Sequence, residues 1–199
     1  AAGTRIRALR RDANSSHTGE EAYNYFLSVI FPDDQMMILD YNRVIRDLHG
    51  LAGDAFVAAV EERFEVQSTE DGRPARRRCF GMYLEGQWYR LTAKEGSFPA
   101  DDPVNGLDVA ILQNNLLAPV LGIGDPRSDE RIDFVGGIRG LGELERKVDS
   151  GEWAVAFALH PTSIDQLFAV ADAGLVMPPK STWFEPKLRS GLIVRPLND

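Results

Sequence analysis

The chain is poor in the residues that usually announce chemistry. Among 199 residues there is one cysteine, Cys79, and there are three histidines, His17, His49 and His160, set far apart. A single cysteine forms no intramolecular disulfide. No Cys or His pair has metal-ligand spacing, so no structural metal is expected. There is no Walker-type phosphate loop and no Gly-rich dinucleotide fingerprint. No apolar run has the length that crosses a bilayer, and those such as Tyr25 to Phe31 are strand-sized. Without a visible export signal, the cytoplasm is the default compartment. Positive charge is also in deficit: 22 Lys and Arg against 30 Asp and Glu leave a net charge of -8. Most of such a surface repels a phosphate backbone, which argues against nucleic acid as a partner. It leaves open a small anion held by a local cluster of donors.

What is present is the composition of an ordinary globular domain, 44% hydrophobic and 26% charged. Residues 2–13 read as a basic helix with a thin apolar stripe through Ile6 and Leu9, followed by a loop over 14–20. Tyr23 to Phe31 has the composition of a strand. Pro32 to Gln35 suits a hairpin turn into the short apolar run Met36 to Leu39, with a crossover as the alternative. Asn42 to Leu48 reads as polar. Phe56, Val57, Val60 and Phe64 mark an amphipathic helix with Asp54 as a plausible cap, and Phe64 to Val66 opens a strand. Cys79 to Leu84 and Gln87 to Leu91 form two strands joined at Glu85-Gly86, a hairpin signal. A loop over 94–106 leads to a buried helix over 107–121, which Pro119 should end or kink. Ile132 to Val135 is a strand, Leu141 to Val148 a charged helix and Trp153 to Leu159 a buried strand. Ser163 to Ala173 is a helix capped by Thr162 or Ser163, and Leu192 to Pro196 a last strand. Strands and helices thus interleave, which predicts an α/β or α+β fold with a mixed β-sheet. One compact unit is expected, with a sub-boundary near 94–106.

Five places hold residues with chemical potential. Lys180, Ser181 and Thr182, stiffened by Pro178-Pro179 and backed by Trp183 and Phe184, present an ammonium and two hydroxyls side by side. Such a set can hold a phosphate, or it can be a rigid surface loop. Asp40-Tyr41-Asn42-Arg43 ends an apolar run. There Arg43, with Asn42 beside it, can clamp a carboxylate or phosphate, or form a salt bridge to Asp40 or Asp47. His160 ends a buried strand and is a candidate acid or base, or a residue that hydrogen-bonds the next helix start. Gly136-Gly137 lie between a strand and a helix, where backbone N–H groups can meet a phosphate; a plain tight turn is the other reading. Cys79 follows Arg76, Arg77 and Arg78, so it is an activated thiol or a small buried residue. The carboxylate pairs, such as Asp101-Asp102, are adjacent in sequence and read as solvated surface.

Two segments carry a family resemblance. One is His17-Thr18-Gly19-Glu20-Glu21-Ala22-Tyr23-Asn24-Tyr25-Phe26-Leu27 with Tyr41-Asn42-Arg43-Val44-Ile45. The other is Met177-Pro178-Pro179-Lys180-Ser181-Thr182-Trp183-Phe184-Glu185-Pro186-Lys187 with Ser190-Gly191-Leu192-Ile193-Val194. Both resemble segments of the bacterial and archaeal domain of unknown function 1015 (DUF1015) family, in the same order. That family commonly has Pro in place of Ala22 and Tyr in place of Trp183 and Glu185. Complete members are longer and carry an Asp-Gly-His-His-Arg motif ahead of the helix in which this chain begins. The resemblance therefore implies the C-terminal portion of a longer protein, packed against its missing N-terminal part. The motif resembles the ParB/sulfiredoxin superfamily, which includes nucleotide-dependent free-serine kinases. The implied activity is phosphoryl transfer to or from a small hydroxy compound such as serine or phosphoserine, with ADP or ATP and Mg as cofactor. Lys180, Ser181, Thr182 and Arg43 would then neutralise phosphate or carboxylate charge, and the acid or base would come from the missing part. The partner is a small anionic metabolite or nucleotide, and a homodimer is open. The rival reading is a non-catalytic ligand-sensing or assembly module. It expects a large exposed apolar patch, whereas the enzyme expects Lys180 and Arg43 together at one pocket.

Overall fold

The computed structural model describes residues 2–189 and 191–196, which divide into two compact units. The smaller comprises residues up to Met36 and from Pro186 onward; the larger is Met37–Glu185. The smaller unit holds helix α1 (Ala2–Ala13) and two single 3-10 turns, Ala22–Asn24 and Asp33–Gln35. A cluster of polar contacts gathers on Glu21. Glu21 accepts from the Thr18 N–H at 2.5 Å and the Thr18 hydroxyl at 3.0 Å. It also accepts from the Gly19 N–H at 3.0 Å and Asn24 Nδ2 at 2.8 Å, and pairs with His17 at 2.9 Å. Burial acts upward on the Glu21 carboxyl, but the donors from Thr18 and Gly19 outweigh it and hold its pKa at about 2. The strands expected over Tyr23 to Phe31 and Leu192 to Pro196 do not form: beyond the 3-10 turn that takes in Tyr23 and Asn24, both stretches are irregular. β-propensity without a neighbouring edge makes no ladder.

In the larger unit, short strand β1 (Met37–Leu39) leads through Asp40 into β2 (Tyr41–Ile45). Helix α2 (Gly53–Glu61) follows, then strands β3 (Phe64–Thr69), β4 (Cys79–Leu84) and β5 (Gln87–Ala93). Helix α3 (Asp108–Leu112) continues as a π-helical turn, Gln113–Leu117. Strand β6 (Ile132–Gly136), helix α4 (Leu141–Asp149), strand β7 (Val155–Leu159), helix α5 (Ile164–Asp172) and strand β8 (Trp183–Glu185) complete it. Six strands form one sheet in the order β3-β5-β4-β7-β2-β6, and β1 pairs with β8 apart from it. Every pairing among the described residues is antiparallel, so the mixture is one of helices with strands, at the α+β end of the expected class. Residues 94–106 lie inside this unit.

Alternation builds the two faces. Phe80, Met82 and Leu84 of β4 with Val155, Phe157 and Leu159 of β7 join Phe56 and Val60 of α2, Leu112 of α3, Leu116 and Leu117 of the π-helical turn and Val170 of α5. Tyr83, Ala156 and Ala158 turn the other way, toward Leu144 and Val148 of α4. The hairpin between β4 and β5 turns on Glu85 (φ 49) and Gly86 (φ 80), the left-handed pair that matches strand twist. Ser163 caps α5 with a full capping box to Gln166. Asp54, by contrast, is not a cap: the N-cap of α2 is Ala52, and Asp54 sits in the first turn, where its charge suits the helix dipole.

The main correction concerns residues 41–45. The first part of the stretch read as polar over Asn42 to Leu48 belongs to the strand between β6 and β7, and Asn42, Arg43, Val44 and Ile45 are all buried. Burial on both faces overrides the polar reading, because the strand lies inside the sheet. The hairpin from residues 23–31 into β1 is likewise absent, and β1 takes β8 as its partner.

Candidate functional site

Arg43 lies in the sheet opposite Phe134 of β6 and Phe157 of β7. Only 3% of it is exposed. Its guanidinium donates to two carbonyls, that of Tyr41 and that of Lys180, the latter at 3.0 Å. Its Cζ stands 5.6 Å from the centroid of the Phe134 ring. No carboxylate pairs with it among the described residues. Asp40 receives Asn42, and Asp47 receives Arg131 at 3.5 Å, so the salt bridge considered from sequence is not made. Burial lowers the guanidinium's pKa to about 10, with the Tyr41 ring oxygen acting upward, and the group stays charged at neutral pH.

Arg43 and Phe134 form the floor of a cleft of about 600 Å3. Its walls are α3 and the π-helical turn, through Gln113 and Asn114, the loop with Asp125 and Arg127, and the segment Val176 to Pro179. Lys180 stands on the same segment with a left-handed backbone, φ 56, a conformation that costs about 1–2 kcal/mol for a residue with a Cβ. Three contacts hold it there. The Ser181 hydroxyl donates to the Pro178 carbonyl at 2.7 Å, the Thr162 hydroxyl donates to the Ser181 carbonyl at 2.9 Å, and Arg43 takes the Lys180 carbonyl. The Lys180 ammonium lies 5.5 Å from the centroids of both the Tyr41 and Phe134 rings and 3.4 Å from the Tyr41 hydroxyl. Arg43 and Lys180 thus meet through the Lys180 carbonyl and the shared Phe134 ring, but Lys180 itself is not among the residues that line the cleft. Ser181 does not converge with them: it is buried and its hydroxyl is used inside its own turn. Thr182 is half-buried on the next residue.

The other candidates are placed as follows. Asn42 is fully buried, donates to Asp40 at 2.5 Å and accepts from the Leu159 N–H at 3.0 Å, which closes the β2–β7 ladder. The Gly136 Cα faces the Trp183 ring so closely that a Cβ would come within 2.4 Å of it. The Gly137 N–H is taken by the Asp40 carbonyl at 2.8 Å, so it is not a spare donor. His160 is half-buried, with Nδ1 3.1 Å from the Pro161 carbonyl, and it lines two clefts other than that of Arg43. Cys79 is buried beside the Thr92 hydroxyl at 3.8 Å. Sequence reasoning missed Phe134 and Tyr41 as the aromatic faces under the two cations. It also missed Asp108, a buried carboxylate whose pKa burial pushes up to about 6 against the Arg78 N–H bond and the charges of His160, Arg77 and Arg78. Only the Asp-before-helix pattern signalled it.

No curated protein matches the chain. Among solved structures, a mutant free serine kinase in complex with AMP is 13% identical with a TM-score of 0.46, over 76% of this chain and 54% of that one. A free serine kinase in complex with AMP is 12% identical with a TM-score of 0.43, over 76% and 54%. A conserved hypothetical protein from Pyrococcus furiosus is 13% identical with a TM-score of 0.43, over 76% and 57%. The chain thus spans about half the length of these proteins. The family described as protein of unknown function (DUF1015) matches residues 1–110, more than half of the sequence, and the chain belongs to that family. The match takes in the first quoted segment and leaves 177–194 outside it.

Proposed function

We propose that this DUF1015 protein binds a small anionic metabolite in the Arg43 cleft, a carboxylate or phosphate ester of a hydroxy compound, and transfers a phosphoryl group to or from it. Serine and phosphoserine are the compounds the resemblance implies. One observation carries the reading: a charged guanidinium, 3% exposed, has carbonyls and a ring face for company but no carboxylate, and it floors a cleft of metabolite size. An isolated buried charge is costly, and an anionic ligand supplies the missing counter-charge. Lys180, held in a strained backbone, adds a second cation on the adjoining turn. Phosphoryl transfer depends chiefly on positioning and charge neutralisation, which is what these residues offer. Proton transfer falls to a residue outside this cleft, whose carboxylate, Asp125, is engaged by Arg127 at 2.9 Å.

An ADP or ATP cofactor with Mg belongs to the same reading. Among the described residues no group of three His, Cys, Asp or Glu could hold a metal ion. Mg often binds through one or two carboxylates and the phosphates it accompanies, so the phosphates would carry most of its coordination. A second reading, an assembly module, is favoured by exposed apolar side chains in the smaller unit: Phe26 (80%), Ile30 (91%) and Val194 (76%).

The test is thermal unfolding of the full-length protein with phosphoserine, serine, ADP or ATP, in the wild type, Arg43→Lys and Lys180→Ala. A ligand at 100 times its Kd adds about 2.7 kcal/mol, which raises Tm by roughly 5–10 °C at this size. The expected result is a shift with phosphoserine that Arg43→Lys loses, because an ammonium cannot reproduce the bidentate fork. An equal shift in both removes Arg43 from the site. No shift with any ligand favours the module.

A further inference from the structure

A second cationic cleft lies at the end of the sheet where β4 begins and β5 and β7 end. It encloses about 690 Å3 and is lined by Arg76, Arg77, Arg78, Thr92, Phe98 and His160, with Glu95 the only carboxylate on its wall. The local balance is thus positive on a chain whose net charge is -8. Nothing in the Arg43 reading uses these residues.

The cleft is built, not a chance run of surface charge. Arg78 has a left-handed backbone, φ 67, and its N–H is gripped by both Asp108 oxygens at 3.0 and 3.1 Å. Its carbonyl accepts from the Ala93 N–H at 2.9 Å, and its guanidinium lies 4.7 Å from the Phe98 centroid. The turn is therefore fastened to α3 and to β5 at once, which fixes where Arg76 and Arg77 leave the chain. Those two are exposed and make no ion pair among the described residues, whereas Arg46, Arg127, Arg131 and Arg146 all do. His160 reaches the same cleft from the end of β7.

We propose that this cleft binds a multiply charged phosphate oxyanion, a diphosphate or longer, separately from the Arg43 site. The preference for several charges follows from the electrostatics. The overall negative charge works against any anion at long range, and salt screens it beyond about 8–10 Å. A single charge gains little at one exposed guanidinium. A diphosphate spans two or three forks, each able to make paired N–H···O bonds, and the gains accumulate. Thr92 adds a hydroxyl, and Phe98 adds a ring face beside the cations that a nucleoside could use.

Titration calorimetry of the intact chain tests this with inorganic pyrophosphate, orthophosphate and ADP. The wild type should bind pyrophosphate at least tenfold tighter than orthophosphate. The double variant Arg76→Ser/Arg77→Ser, which touches two exposed side chains, should lose at least tenfold of that affinity with an unchanged melting curve. Arg43→Lys should leave it intact. ADP binding well above pyrophosphate identifies a nucleoside diphosphate, and equal binding identifies the phosphate chain alone; both support the site. Three results overturn it: no pyrophosphate binding, full binding by the double variant, or binding that disappears with Arg43→Lys. The last would place the oxyanion in the Arg43 cleft and leave that reading standing, while pyrophosphate binding kept together with no phosphoserine shift in the unfolding test would sink only the Arg43 reading.

Discussion

Replacing Asp108 by Asn should flatten one component of the protein's pH dependence. Asp108 opens α3 with 7% of its surface exposed, and its carboxylate accepts the strained Arg78 N–H. Burial pushes its pKa from the ordinary 3.8 to about 6, with the Arg78 N–H bond and the charges of His160, Arg77 and Arg78 opposing. Between those values the folded protein keeps a proton that the unfolded chain has released. Stability from this group therefore falls as pH rises through the window, and stays low above it. The difference is equivalent to about 3 kcal/mol. Urea unfolding of both proteins between pH 4 and pH 8 measures it. Glu21, Asp125 and Asp129, whose pKa values are lowered, act in the opposite sense but are common to both proteins and cancel. Across that range the stability of the wild type minus that of Asp108→Asn should fall by about 2.5 kcal/mol, mostly below pH 6. A flat difference would refute the account. A difference that rises with pH would show that the arginines and His160 outweigh desolvation.

Two further perturbations follow from packing. Gly81→Ala would place a Cβ 1.9 Å from the Gly72 carbonyl oxygen, a backbone atom that cannot rotate away. It should cost about 3 kcal/mol or more by urea unfolding, and a loss below about 1 kcal/mol would mean the turn at Gly72 yields freely. Ser163→Ala removes a capping box and should cost about 1 kcal/mol, while Ser163→Asp should recover most of it; equal losses in the two would show that the cap does not hold α5.

The elements that sequence reveals are those in which local pattern and burial agree. Phe56 and Val60 lie on one face of α2, Glu85-Gly86 turns the β4–β5 hairpin, and Val155 to Leu159 is apolar throughout and buried throughout. The failures occur where partner geometry decides. Tyr23 to Phe31 has the residues of a strand and no ladder, so Phe26 and Ile30 remain exposed. β8 is three residues long and exists only because β1 lies alongside it. Neither outcome is written in the local sequence. At the site, Lys180 and Arg43 were legible as cations, but 137 residues separate them and nothing local indicates that one holds the carbonyl of the other.

The strand β2 was misread for a more instructive reason. Asn42 and Arg43 contradict a buried strand by composition, and such conflicts between local preference and global fold concentrate at functional positions. The two side chains resolve the conflict differently. Asn42 turns to the α4 face, where Asp40 and the Leu159 N–H take its amide on both sides, so its role is complete within the fold. Arg43 turns to the other face, where carbonyls accept its protons but nothing neutralises its charge. Carbonyl dipoles can satisfy hydrogen bonds without cancelling a net charge, and a core assembled only for stability would have done as well with an apolar residue here. The arginine is therefore the member of the pair whose presence the fold alone does not explain, and the cleft in front of it is where the explanation should be sought.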